Sequence, residues 1–82
     1  MQLIFKYYGE LTSYFPEGSE DNMIRIDIDV DDSVYSIFDK YNIPRDKINL
    51  VLVNGINVNH EDCEAYRFTD GDTLAVWAET AG

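Results

Sequence analysis

Apolar and polar side chains alternate most cleanly over residues 24–30. Ile24, Ile26, Ile28 and Val30 point one way and Arg25, Asp27 and Asp29 the other, the pattern of a strand with one buried face. A second strand precedes it in residues 2–8, rich in β-branched and aromatic types. Leu3, Phe5 and Tyr7 share one of its faces, and Ile4, Lys6 and Tyr8 the other. The period then lengthens. Val34, Ile37, Phe38 and Tyr41 recur at three- and four-residue intervals and predict one amphipathic helix. Asp31, Asp32 and Ser33 are its N-cap candidates and set negative charge at the positive end of the helix dipole. Asn42-Ile43-Pro44 stops it, because the residue before a proline avoids helical geometry.

The remainder reads as strands and turns. Residues 49–53 and 56–58 flank Asn54-Gly55, a strong short hairpin signal. Residues 59–64 are polar and predicted irregular, after which Tyr66 and Phe68 pack inward. The turn Thr69-Asp70-Gly71-Asp72 leads into a last strand over 73–78. Two strands, a helix and three further strands make one mixed sheet packed on one main helix, with the first and last strands parallel at its centre. That is an α+β solution, the β-grasp. The expected organisation is one domain over residues 1–78 and a flexible tail over 79–82. The segment 16–22 is the one plausible mobile loop, combining turn formers with mutually repelling charges.

Composition changes the functional picture. Six basic residues against sixteen acidic ones give the 82-residue chain a net charge of −10. Nucleic acid and anionic membrane surfaces are poor partners for such a molecule, since both are bound by Lys and Arg. A basic protein partner is the natural complement, although acidity also serves solubility alone. Cys63 is the single cysteine, so no internal disulfide can form. With no basic-then-apolar leader and no bilayer-length apolar run, a cytoplasmic protein is expected.

The constellations of catalysis are missing. His60, Glu61, Asp62 and Cys63 are adjacent, and neighbours in sequence cannot all turn toward one ion; the expectation is no metal site. Gly9, Gly18, Gly55 and Gly71 occupy separate turns and form no phosphate loop. Asp70 and Asp72 bracket Gly71, so turn formation accounts for them better than acid–base chemistry. No catalytic residue and no intrinsic cofactor are expected.

Val51-Leu52-Val53-Asn54-Gly55, then Phe68-Thr69-Asp70-Gly71-Asp72-Thr73-Leu74-Ala75-Val76, then Ala81-Gly82 together resemble the ubiquitin-like sulfur carriers of the MoaD/ThiS type. These are the molybdopterin synthase small subunit and the thiamine biosynthesis sulfur carrier. The likeness extends over essentially the whole chain, including Tyr8-Gly9-Glu10-Leu11. It implies a ubiquitin-like β-grasp and a C-terminal carboxylate, here that of Gly82, that is adenylated by an E1-like partner using ATP. Sulfur then displaces AMP, and the thiocarboxylate serves an acceptor enzyme such as the molybdopterin synthase large subunit. The length and the long 10–22 connection resemble that branch more than the thiamine carrier.

The ending departs from the family's Gly-Gly, since Ala81 precedes Gly82. Either the native end carries one more residue, or Ala-Gly serves, or the chemistry has been lost. The tail Glu79, Thr80, Ala81 and Gly82 spans about 14 Å when extended, and one residue fewer shortens that by about 3.5 Å. The alternative to a carrier is a ubiquitin-like interaction or conjugation module that carries no sulfur. In either case docking is expected through the sheet's outer face. Leu74 and Val76 should face the helix, leaving Ala75 and Trp77 outside with Ile4, Lys6 and Leu52. Ile4, Leu52 and Trp77 are the candidate docking residues, with acidic residues as rim; packing of Trp77 beneath Tyr8 or the 10–20 loop is the competing placement.

Overall fold

The computed structural model describes residues 1–8 and 22–78. Five strands form one sheet: β1 (Gln2–Tyr8), β2 (Met23–Asp27), β3 (Ile48–Val53), β4 (Ile56–Asn57) and β5 (Thr73–Ala78). Among the described residues there are also helix α1 (Val34–Lys40), a four-residue helix α2 (His60–Cys63) and a 3-10 turn at Arg45–Lys47. The order across the sheet is β2-β1-β5-β3-β4. β5 runs parallel to β1 and antiparallel to β3, so the last strand occupies the centre. This is the mixed sheet and single main helix predicted from the pattern.

One face of the sheet and one stripe of α1 make the core. Leu3, Phe5 and Tyr7 from β1, Val51 and Val53 from β3, and Leu74 and Val76 from β5 are buried in one cluster with Val34, Ile37 and Phe38 of α1. Each strand contributes alternate residues because successive side chains leave opposite faces. Ser33 alone is the N-cap: its hydroxyl accepts from the Ser36 N–H while Ser36 returns a bond from the Ser33 N–H. Asp31 takes no part in the cap, and α1 has no acidic residue in its first turn.

Three expectations need correction. The alternation over 24–30 outlasts the strand. β2 ends at Asp27, and Val30 is 71% exposed instead of facing the core, because Asp29 and Asp32 close a turn there. In that turn the Asp32 N–H donates to the Asp29 carbonyl at 3.0 Å and the Asp29 N–H to Asp32 Oδ2 at 2.8 Å. Residues 59–64 are not wholly irregular, since α2 turns Cys63 into the core. Finally, Asn42 does more than Pro44 to end α1. It takes φ +57°, and the N–H groups of Asn42 and Ile43 return to the carbonyls of Asp39 and Phe38. Those two bonds make a Schellman closure with asparagine in the left-handed position. Of the predicted loop at 16–22, all but Asn22 lies outside the described residues.

Candidate docking face

The registers fix which side chains meet on the outer face of the sheet. Ala75 lies between Lys6 and Leu52, and Trp77 lies between Tyr8 and Leu50. Tyr8 and Trp77 are stacked, centroids 4.5 Å apart and planes 13° from parallel. Trp77 is therefore on the outer face and also against Tyr8, combining the two placements considered above. Ile4, Lys6, Tyr8, Leu52, Ala75 and Trp77 are all half-buried, and Leu50 is 37% exposed.

Of the three candidate docking residues, Leu52 stands diagonally from Trp77. Ile4 does not touch that group. It pairs with Thr73, four residues before Trp77 along β5, which is about 13 Å along the strand. Tyr8 and Leu50 flank Trp77 directly and were missed. Alternation already placed Tyr8 outside, but strand pairing was needed to put it beside Trp77. Leu50 faces out with Leu52 by plain alternation against buried Val51 and Val53, and the register shift between Ile48 and Leu50, an irregularity at Asn49, turns Ile48 inward instead. The rim on the β2 side is cationic as well as acidic. Arg25 faces Ile4 across the β1–β2 pair, Lys6 faces Met23, and Asp27 closes the corner opposite Gln2.

The two turn motifs hold β5 in register from its start. Asn54 takes φ +51° and Gly55 +83°, the double positive φ of a type I′ hairpin turn. From that position the Asn54 carboxamide accepts the Thr73 N–H at 3.0 Å and donates to Asp72 Oδ1 at 2.8 Å. Asp72 Oδ2 accepts the Thr69 N–H at 2.8 Å, and Asp70 Oδ1 the Gln2 N–H at 2.7 Å. Gly71, at φ +86°, donates its N–H to the Gln2 carbonyl. The β3–β4 turn and the turn before β5 thus form one joint clamped to the start of β1. At its other end β5 closes with buried Ala78 opposite Ile48. Glu79, Thr80, Ala81 and Gly82 follow directly and lie outside the described residues.

The polar group at 60–63 divides. His60 is exposed, its Nδ1 2.8 Å from the Tyr35 hydroxyl, while the Arg45 guanidinium lies 4.2 Å over the Tyr35 ring. Cys63 is fully buried and donates its thiol to the Asn59 carbonyl at 3.3 Å; burial first, then Asp62, pushes its pKa up. Such a thiol is a core group and a poor nucleophile. Among the described residues no three His, Cys, Asp or Glu side chains converge as a metal site. Among them, too, no helix is long and apolar enough to cross a membrane.

Comparison with known proteins locates this arrangement. Two solved structures from Haloferax volcanii are similar. The crystal structure of SAMP1 aligns with a TM-score of 0.68 and 23% identity, covering 100% of this chain and 99% of that one. The solution structure of the HVO 2177 protein aligns with a TM-score of 0.71 and 23% identity, covering 100% and 86%. No curated protein matches the chain. At such identities the structural likeness speaks for the fold, a ubiquitin-like β-grasp. A family model described as Mut7-C ubiquitin matches residues 1–81, and the chain accordingly belongs to the Mut7-C ubiquitin family.

Proposed function

We propose that the chain is a ubiquitin-like carrier that works through the carboxylate of Gly82. In this reading the domain at 1–78 is a rigid handle and 79–82 is the tail that enters a partner's active site. A carboxylate oxygen attacks the α-phosphorus of ATP held by an E1-like adenylating enzyme, and pyrophosphate leaves. A hydrosulfide then attacks the acyl carbon and AMP leaves, giving a thiocarboxylate and releasing one proton. Delivery to an acceptor enzyme of the molybdopterin synthase large-subunit kind completes the role, which is that of a substrate and not an enzyme. ATP belongs to the partner, and a cytoplasmic setting suits the single free thiol of Cys63.

The observation that carries this reading is the position of β5. It is the central strand, held by β1 and β3, and its last residue leads straight into the tail. Trp77, Tyr8 and Leu50 lie on the outer face beside that exit, an aromatic-rich patch of the kind that anchors interfaces. A partner gripping the patch would hold the tail in a defined direction, and rate depends steeply on such placement.

A second reading is open as well, because membership of a ubiquitin family supports the ubiquitin-like domain and fixes no particular chemistry for the tail. In that reading the fold is an interaction or conjugation module. Mass spectrometry after incubation with an E1-like enzyme, ATP and a sulfur donor separates the two. A mass gain of sulfur for oxygen at Gly82 supports the carrier. An isopeptide bond from Gly82 to lysines supports conjugation. Neither product, even with a glycine appended, leaves interaction alone.

A further inference from the structure

A second surface lies on the helix side of the sheet, away from the outer face. Val53, Ile56, Val58 and Tyr66, together with Asn54, Asn57 and Asp62, line an open groove of about 340 Å³ between the β3–β4 hairpin and α2. Its floor is aliphatic and aromatic, with Tyr66 packed edge-on against buried Phe68 at 5.3 Å. Ile56 stands over it 72% exposed, the most exposed large hydrophobic side chain among the described residues. A cavity of this size sits at the low end of ligand sites and suits one or two side chains better than a cofactor.

Two further features say what fits. β4 is the edge of the sheet. The Val58 N–H bonds the Val51 carbonyl at 2.9 Å, so Asn57, one residue earlier and opposite Leu52, is in a non-hydrogen-bonded pair. Its N–H and C=O therefore point outward from the sheet, offering one donor and one acceptor to an added strand. The electrostatics are one-sided. Asp62 lines the groove, and Glu61 and Glu64 are exposed beside it. Burial first, and then Asp72, push the Tyr66 hydroxyl above its usual 10.0. The nearest cation in sequence, Arg67, is turned to the Tyr66 carbonyl at 3.2 Å.

We infer that this groove docks an extended segment of a partner protein in which an aliphatic side chain is flanked by lysine or arginine. The aliphatic group fills the space beneath Ile56, the cations face Asp62, and the segment's backbone pairs with Asn57. The inference does not depend on the tail chemistry. Val53 faces the groove and Leu52 the outer face, so both surfaces can be occupied at once and the domain can bridge two proteins.

Nitrogen–proton correlation NMR of the full chain tests this, titrated with a seven-residue peptide of alternating lysine and valine or leucine. Shifts should concentrate at residues 53–58, Asp62 and Tyr66, and weaken between low salt and about 0.15 M salt. Ile56→Thr and Asp62→Lys, both at exposed positions, should each lower affinity about tenfold. A peptide with glutamate for lysine should not bind. The inference is overturned if shifts spread over the acidic surface and ignore Ile56→Thr, or if they map to Trp77 and Tyr8. It is equally overturned if the free chain already fills the groove, seen as dilution-dependent shifts from a second copy or Overhauser contacts from residues 79–82 to Ile56.

Discussion

The joint between the two turns can be weighed by a double-mutant cycle on Asn54 and Asp72. Asn54→Gly keeps the left-handed backbone at φ +51° but removes both carboxamide bonds, to Thr73 and to Asp72. A net hydrogen bond contributes about 0.5–1.5 kcal/mol, and water can replace part of it at an exposed site, so the expected loss is about 1–2 kcal/mol. Asp72→Ala removes the bond to Asn54 and also the Thr69 N–H contact, again about 1–2 kcal/mol. The bond they share is lost only once in the double variant. The losses should therefore fall short of additivity by about 0.5–1.5 kcal/mol, and any change in glycine's unfolded-state entropy cancels in the cycle. For a domain this size each kcal/mol moves Tm by about 4–8 °C, well within reach of measurement. Urea unfolding followed by fluorescence of Trp77, the single tryptophan and a member of the central strand, gives the four stabilities. A coupling below about 0.3 kcal/mol would mean the turns close independently, and the account of how β5 is set in register would be wrong.

Asp32 should tie stability to acid pH. Burial raises its pKa, but bonds from Lys40 at 2.7 Å, from the Asp29 N–H and from Ser36 outweigh that and hold it below the usual 3.8. A folded pKa below the unfolded one means stability that is present above pH 3.8 and lost as pH falls through the folded value. The denaturation midpoint of Asp32→Asn should thus approach that of the parent only in that acid range, while Lys40→Ala, at a 43% exposed side chain, costs under about 1 kcal/mol. If the proposed carrier role holds, Trp77→Ala should weaken capture by an E1-like enzyme by about 30-fold or more, with only a modest stability loss from the Tyr8 stack, as binding and melting data would show. Cys63 should react with a disulfide reagent at least ~10³-fold more slowly than a free thiol, because its fully buried sulfur opens only on unfolding. Rapid native labelling would contradict the core placement.

Local backbone chemistry was the most legible part of the chain. Asn54-Gly55 and Asp70-Gly71-Asp72 are readable because positive φ is sterically costly and few residues accept it. The alternation in residues 2–8 gave the buried and outward faces of β1, since period two leaves no ambiguity once one side is apolar. The errors share a cause. Periodicity carries no stop signal, so Val30 was placed inside although the Asp29–Asp32 turn had already redirected the chain. α2 has one buried residue in four, too little apolar pattern to distinguish a helical turn from a polar loop.

The docking face shows where a linear reading ends. Alternation says which face a side chain leaves from but not which residue stands beside it on the next strand. That takes register, which pairs Tyr8 and Leu50 with Trp77 and leaves Ile4 at the far end beside Thr73. The same limit hid the joint. Asn54 and Asp72 are eighteen residues apart and were read as two independent turns, each sufficient for its own chain reversal. In the fold the Asn54 carboxamide bonds both the Asp72 carboxylate and the Thr73 N–H, so one side chain helps fix the start of the strand that leads to the tail. Residues chosen for a local bend thereby acquire a second task at a distance, and only the pairing of β3 with β5 reveals it.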